Sequence, residues 1–168
     1  MNLYLLRHAI AADRDASTFP NDRERPLTPE GRARLLKVVR AMKAMKLRFS
    51  LTLTSPYLRA RQTAEIVAKE LTLTRRVRDC DELAADARPA DFVRWLAKRR
   101  PQPRDVLVVG HEPFLSELVS LLLAGATPLS LDFKKAGLCK LTVERLEPAR
   151  CATLEWLLPP KLMALMGR

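Results

Sequence analysis

The sequence has little cysteine, few aromatic residues and few glycines, and it contains no long apolar run. Its 168 residues include 3 cysteines, 5 glycines and 2 histidines, and aromatic residues make up 5% of the chain. Cys80, Cys139 and Cys151 are too few and too far apart for a disulfide framework or a zinc knuckle, so we expect them to be reduced. The scarcity of aromatic rings disfavours a surface on which single-stranded nucleic acid stacks.

The apolar segments are also too short for a membrane protein. None approaches the roughly 18 to 20 apolar residues that a membrane span needs. The opening residues 1–6 lack the basic region and the small-residue cleavage site of a secretory signal, so we expect a cytoplasmic protein. With 48% hydrophobic and 29% charged residues, residues 1–168 can bury the core of a single domain.

Positive charge is the one compositional excess. Lysine and arginine number 30 against 19 aspartates and glutamates, which leaves a net charge of +11. Such a field attracts anions, including nucleic acid, phosphorylated proteins and small phosphates. The basic residues are scattered along predicted helices and no nucleic-acid-binding motif is present, so a nucleic-acid-binding module is a distant alternative.

Short apolar runs alternate with helical patterns along the chain. The runs predict strands at residues 3–6, 49–54 and 106–109 and an extended segment at 75–79. Helical spacing and capping signals predict helices at 28–46, from 55 to about 71, from 89 onward and at 114–123. Residues 138–144 and 153–158 predict an antiparallel edge or hairpin. This order predicts an α/β fold with a three-layer α/β/α arrangement, a mostly parallel central sheet and an antiparallel edge strand.

The only two histidines each come directly after a predicted buried strand. Ligands of open α/β sheets bind beyond the carboxyl ends of the strands, so we expect His8 and His111 to meet at that edge. Arg7 precedes the first histidine. Arg59 lies near the start of a predicted helix, where a long side chain leans back toward the same edge. The sequence therefore predicts two imidazoles and two guanidiniums at one site.

These four groups are suited to a phosphoryl group. Guanidinium forks bind phosphate oxygens, and we expect unpaired N–H groups at the helix starts after Ser55 and Glu112 to add to the site. Flanking arginines keep the imidazole of His8 unprotonated, so its free nitrogen can attack phosphorus. A metal site is the competing interpretation of two histidines. Arg7 and Arg59 disfavour a cation, and no metal-binding spacing is present, so we expect neither metal nor cofactor.

Four segments together resemble a known family. They read LRHA at 6–9, RPLTPEG at 25–31, SPYLRARQTA at 55–64 and VGHEP at 109–113. In order and spacing they resemble the histidine phosphatase superfamily, which has the phosphoglycerate-mutase-like fold, and within it the small bacterial phosphohistidine phosphatases of the SixA type. The resemblance covers essentially the whole chain.

The resemblance implies a phosphatase that needs no cofactor and releases inorganic phosphate. It implies that His8 is transiently phosphorylated, while Arg7, Arg59 and His111 surround the phosphoryl group. These are the same four residues that the strand ends and the helix start predict at one site.

The resemblance also implies an acid, from a loop after the second helix, that protonates the leaving group. Glu82 is the best match, and Asp81 and Asp86 are alternatives. An exposed acidic loop that balances a basic surface is an equal interpretation of this segment. One residue departs from the family pattern, because Ala9 stands where the commonest signature has glycine. We expect that this position does not require the positive φ that would strain alanine.

Two classes of substrate fit these features. Short connections leave little chain to cover the site, and an open rim suits a phosphorylated side chain presented by another protein. Phosphohistidine on a signalling or phosphotransfer protein is therefore the first hypothesis. A small phosphate ester, a nucleotide or polyphosphate is the second, since Lys134 and Lys135 can reach further phosphates if their loop borders the rim. A solvated lysine pair is the alternative.

Overall fold

The computed structural model describes residues 1–73, 77–125 and 127–167. The strands are β1 (Asn2–Arg7), β2 (Leu51–Thr54), β3 (Val77–Asp79), β4 (Asp105–Gly110), β5 (Leu138–Val143) and β6 (Ala152–Leu158). The helices are α1 (Pro29–Ala44), α2 (Leu58–Glu70), α3 (Pro89–Ala97), α4 (Phe114–Ala124) and α5 (Pro160–Met166). Short 3-10 turns lie at Asp22–Glu24 and Asp81–Leu83. None of the helices in the described parts of the chain combines the length and the hydropathy that a membrane span requires.

All six strands belong to one sheet, in the order β3-β2-β4-β1-β5-β6. The first four strands along the chain run parallel to one another, whereas β5 is antiparallel to β1 and β6 is antiparallel to β5. The predicted, mostly parallel sheet is confirmed. Its antiparallel side consists of two strands where the sequence predicts an edge strand or a hairpin.

Helices cover both faces of the sheet, which confirms the three-layer arrangement. One core contains buried residues of α1, α2 and α5, and the other contains buried residues of α3 and α4. The side chains of β1 alternate between them, since Tyr4 and Leu6 join the first core while Leu3 and Leu5 join the second. Because β1 is buried on both faces, its residues 3–6 form an unbroken apolar run.

The element boundaries differ from the predictions around β2. The strand begins at Leu51 and not at Phe49. Phe49 lies before the strand and packs edge-on to Tyr4, with ring centroids 5.1 Å apart. The helix predicted from Ser55 begins at Leu58. The Ser55 hydroxyl accepts a hydrogen bond from the Tyr57 backbone at 3.3 Å and does not cap the helix itself. The first part of the predicted segment 75–79 lies outside the described residues, and β3 forms its last part.

The start of α1 matches its sequence signals. The Thr28 side chain accepts a hydrogen bond from the Gly31 backbone at 3.0 Å, and Pro29 is the first helical residue. Gly31 packs against the chain just after β1, so that a Cβ there would clash with the carbonyl oxygen of Ile10. The close approach ties the start of α1 to the segment that follows His8.

This approach gives a prediction with an unusual sign. Helix propensity alone predicts that Gly31→Ala stabilises the protein by about 1 kcal/mol. Because the added methyl group collides with backbone, we expect the variant to lose about 2 kcal/mol of unfolding free energy instead. Urea denaturation measures the change, with Arg32→Ala, an exposed neighbour on the same helix, as the control. A stabilised Gly31→Ala variant would contradict the packing.

Candidate active site

Two neighbouring parallel strands bring the two histidines together. β1 pairs with β4 so that Arg7 lies opposite Gly110. The next residue on each strand is a histidine, and the ring centroids of His8 and His111 are 5.1 Å apart. Both rings are buried, with 7% and 2% of their residue surface exposed. The site therefore forms at the carboxyl edge of the parallel strands.

The backbone decides which nitrogen of His8 is free. Its Nδ1 lies 2.7 Å from the carbonyl oxygen of Ala9. A carbonyl only accepts hydrogen bonds, so Nδ1 carries the proton and Nε2 keeps the lone pair. Burial lowers the pKa of His8 to about 3, with help from the charges of His111, Arg59 and Arg7 and against the hydrogen bond to Ala9. The ring is thus neutral at physiological pH and has a nucleophilic nitrogen.

His111 is held from two sides. Its Nε2 forms a 2.8 Å hydrogen bond with the Ser55 hydroxyl, and its ring lies 5.0 Å from that of Tyr57. Burial lowers the pKa of His111 to about 3, and the nearby Arg59 contributes to the shift. The sequence pattern predicts Ser55 at a helix start and contains no signal for its bond to this ring.

Arg7 is fixed by the loop before β5. Its Nη1 donates a 2.7 Å hydrogen bond to the carbonyl of Phe133. In the same loop the Ala136 backbone, at φ 60°, donates to the carbonyls of Arg7 at 3.1 Å and His8 at 3.2 Å. Burial lowers the pKa of Arg7, yet a guanidinium stays charged at neutral pH. The loop of Lys134 and Lys135 therefore does border the rim.

Arg59 is anchored by a residue that the sequence analysis missed. It is 4% exposed, and it donates to Asp22 twice, to the backbone carbonyl at 2.8 Å and to the carboxylate at 3.0 Å. Arg25 also donates to the Asp22 carboxylate, at 2.8 Å. The only local signal was the spacing of three between Asp22 and Arg25, which is common on protein surfaces. The contact to Arg59 joins residues 37 positions apart.

Asp22 is charged at neutral pH. Burial raises the pKa of this carboxyl, but the hydrogen bonds and charges of Arg25 and Arg59 outweigh burial and hold the pKa below its ordinary value. A carboxylate in this state is a poor proton donor. Asp22 therefore positions Arg59 and is not suited to the role of general acid.

Several buried polar atoms of the site remain available to a ligand. Among the described residues, five buried side-chain polar atoms have no hydrogen-bond partner, and three of them are Nε of Arg7, Nε of Arg59 and Nδ1 of His111. Both Nε atoms are donors, and Nδ1 of His111 is a donor in the tautomer whose Nε2 accepts from Ser55. A buried donor without a partner costs about 1 to 3 kcal/mol. Their concentration in one site favours a ligand with several acceptor oxygens.

The acidic candidates lie in the turn after β3. Glu82 is partly buried and accepts a 3.3 Å hydrogen bond from the Cys80 thiol, whereas Asp81 and Asp86 are exposed. The Cys80 backbone donates to the end of β2 at Thr54, which ties this turn to the same edge of the sheet. Within the described chain, no hydrogen bond or ion pair joins Glu82 to the histidines and arginines of the site.

Two of the backbone donors at the start of α4 are satisfied within the chain. The Leu115 backbone donates to the carbonyl of His111, and the Ser116 backbone donates to the Glu112 carboxylate at 3.1 Å. These two N–H groups therefore do not make the contribution to anion binding that the sequence predicts. The positive charge of the site comes instead from Arg7 and Arg59.

The expectation for Ala9 is confirmed. The non-glycine residues with positive φ in the described chain are Lys46, Thr72 and Ala136. Ala9 is buried, and its backbone donates a 3.1 Å hydrogen bond to the Thr63 hydroxyl. Alanine is therefore accommodated after the nucleophile candidate without backbone strain.

Comparison with known proteins decides the family. The model of the histidine phosphatase superfamily (branch 1) matches residues 3–84. The chain is 30% identical over 161 residues to the phosphohistidine phosphatase SixA of Escherichia coli K12, which covers 95% of this chain and 94% of that protein. The chain belongs to the histidine phosphatase superfamily. Residues 3–84 include His8, Arg59 and the turn that contains Glu82.

A comparison with solved structures extends the likeness to the fold, and a further sequence relative is similar over most of the chain. The solved structure of the protein histidine phosphatase SixA complexed with tungstate matches with a TM-score of 0.82 and 27% identity, over 97% of this chain and 99% of that one. An uncharacterized protein of Picosynechococcus sp. PCC 7002 is 40% identical over 139 residues, 82% of each chain. The phosphoglycerate-mutase-like fold expected from the four sequence segments is therefore confirmed.

The burial of two neutral histidines makes the stability of this phosphatase depend on pH. Unfolded histidine has a pKa of 6.5, whereas His8 and His111 have pKa values of about 3 when folded. Below pH 6.5 the unfolded state binds more protons than the folded state. We therefore expect the unfolding free energy to decrease as the pH is lowered, by up to about 1.4 kcal/mol per pH unit for each histidine. Urea denaturation between about pH 7 and pH 5 tests this.

A matched variant isolates the contribution of one ring. His111→Gln removes one titrating group and can keep a hydrogen bond to Ser55, so the slope of unfolding free energy against pH should be about half that of the wild type. Equal slopes in the two proteins would show that the buried imidazoles do not govern the acid response.

Proposed function

We propose that this phosphatase uses His8 as its nucleophile, forms a phosphohistidine intermediate on it, and acts on phosphohistidine carried by a signalling or phosphotransfer protein. The observation that supports the nucleophile is the hydrogen bond from Nδ1 to the carbonyl of Ala9. That bond leaves the lone pair on Nε2, beside two guanidiniums. A phosphatase that works through covalent catalysis needs this combination of a neutral nucleophile and fixed positive charge.

The first step transfers the phosphoryl group to the enzyme. Nε2 of His8 forms a bond to phosphorus while the bond from phosphorus to the leaving nitrogen or oxygen of the substrate breaks. Arg7, Arg59 and His111 bind the oxygens of the phosphoryl group as its charge redistributes. Each well-placed donor of this kind contributes about 3 kcal/mol to the transition state. The proposal therefore assigns charge neutralisation to side chains and not to a metal ion.

A proton must reach the leaving group in that step. Glu82 is the preferred donor, because it is half-buried and its turn is tied to the end of β2, whereas Asp81 and Asp86 are exposed. Water then attacks the phosphorus on His8, the N–P bond breaks, and inorganic phosphate leaves. The same carboxylate can take the proton of that water, which restores the acid for the next cycle.

The names of two relatives support a phosphohistidine-bearing protein as the substrate. The relative that is 30% identical over 95% of this chain is called a phosphohistidine phosphatase, and the solved structure that matches with a TM-score of 0.82 is that of a protein histidine phosphatase. A small phosphate ester, a nucleotide or polyphosphate is the second candidate, because the loop of Lys134 and Lys135 lies against Arg7 and His8.

The nucleophile is tested by trapping the intermediate. We expect the wild type to take up labelled phosphoryl groups from a phosphohistidine-bearing protein, and His8→Ala to take up none and to lose about 1,000-fold or more in turnover. In the control His111→Ala, the nucleophile remains, so turnover should fall while some label is still transferred. Undiminished turnover by His8→Ala would reject the proposed nucleophile.

The substrate class is tested by competition. Values of kcat/KM are measured for a histidine-phosphorylated phosphotransfer protein and for a panel of phosphate esters, nucleotides and polyphosphate. We expect the phosphorylated protein to be preferred, because a protein makes contacts outside its phosphoryl group that a small molecule lacks. A clear preference for one member of the panel would favour the second candidate.

A further inference from the structure

A groove of about 660 Å³ opens beside Arg7. The segment after β1, the first turns of α1, the loop before β5 and the start of α5 form its walls. Its apolar lining consists of Ala9, Ile10, Ala136, Pro159, Pro160 and Leu162. Because Arg7 belongs both to this groove and to the active site, the two are continuous.

The rim of this groove is basic. Besides Arg7, its charged lining residues are Arg34, Lys134, Lys135 and Lys161, and none of the described lining residues is acidic. Arg34 and Lys134 each form an exposed ion pair with a nearby carboxylate, which is worth little in water. Lys135 and Lys161 form no ion pair with any described residue. The groove therefore carries positive charge that a ligand can neutralise.

An exposed apolar stripe on α5 continues from the groove. Leu162, Leu165 and Met166 are 50%, 53% and 45% exposed. Their spacing of three and four places them on one helix face, while Met163, at the edge of that face, is fully buried in the core. A contiguous group of large apolar side chains at a protein surface is typical of a site that contacts another molecule.

We infer that the groove and the α5 stripe together dock a segment of the protein that carries the phosphohistidine, and that this segment is apolar on its docked face and acidic at its margins. The inference rests on the proposed function and names the feature of the substrate that the enzyme recognises outside the phosphoryl group. Apolar lining matches apolar side chains, and the lysines of the rim match flanking carboxylates.

The shape of the surface favours a protein over a small phosphate compound. The stripe extends along α5, which is about 10 Å long at 1.5 Å per residue, and leads away from the groove. A nucleotide or polyphosphate seated at Arg7 would bring charge to an apolar lining and would leave the stripe uncovered. A peptide segment covers both, and it enters the active site from the side of Arg7.

Matched peptides test the inference. Two synthetic peptides carry one phosphohistidine and the same apolar residues at helical spacing, and they differ only in glutamates or lysines at the flanking positions. Free phosphohistidine is the reference substrate. We expect kcat/KM for the acidic peptide to exceed that for the basic peptide by about tenfold at low salt, mainly through KM.

Paired variants separate the groove from the overall charge of the protein. Leu162→Glu should lower kcat/KM for the acidic peptide about tenfold more than kcat/KM for free phosphohistidine. Its control, Leu36→Glu, replaces a 39% exposed leucine of α1 that does not line the groove. Lys161→Glu should reduce the preference for the acidic peptide, whereas Lys37→Glu, an exposed residue of α1 with the same change in net charge, should not.

The results distinguish this inference from the proposed function. If the wild type hydrolyses free phosphohistidine and both peptides equally well, the docking surface is overturned and the proposed function stands. A preference for the acidic peptide that Leu162→Glu and Lys161→Glu reduce no more than their controls also overturns it. If neither peptide nor free phosphohistidine is hydrolysed while a small phosphate ester is, both proposals fall.

Discussion

The parallel pairing of β1 with β4 is the constraint on which the active site depends. It sets Arg7 opposite Gly110, and the residue that follows each strand is a histidine. Because both strands are buried on both faces, the rings that follow them lie in a poorly solvated place. Burial keeps both imidazoles neutral, and the backbone carbonyl after His8 selects its tautomer. The chemistry of the site thus follows from strand register and from the backbone rather than from a special local motif.

Burying two guanidiniums beside these rings is costly unless their hydrogen-bonding groups have partners. The structure offsets this cost with chain segments from outside the sheet. The carbonyl of Phe133 receives Arg7, and the carbonyl and carboxylate of Asp22 receive Arg59. Each arginine still keeps a buried Nε without a protein partner. The charges are therefore oriented before a substrate arrives, and part of their hydrogen-bonding capacity remains for a phosphoryl group.

The superfamily and the fold do not decide the substrate, since the same fold serves phosphatases with different substrates. In this chain the stretch after β1, the loop before β5 and the start of α5 line the groove beside Arg7. These segments are the ones that we propose for substrate recognition outside the phosphoryl group.

The sequence by itself determined the features whose signals are local. Apolar runs marked the buried strands, Thr28 and Pro29 marked the start of α1, and the positions of His8 and His111 after two such runs placed them at the carboxyl edge. The candidate phosphate-binding groups also followed as a prediction, because arginine and histidine beside a strand end favour a phosphoryl group as the ligand. Family motifs then supplied the likeness of the whole domain and a candidate acid in Glu82.

Only the tertiary structure decided which distant groups meet. The bond of Asp22 to Arg59 and the bond of Ser55 to His111 each depend on how separate loops return to the rim. That the exposed apolar face of α5 lies next to the groove is visible only in the folded chain. Residue spacing determines which face of a helix or strand a side chain occupies. It does not determine which residue, distant in sequence, that side chain contacts, because this depends on how all the elements pack together.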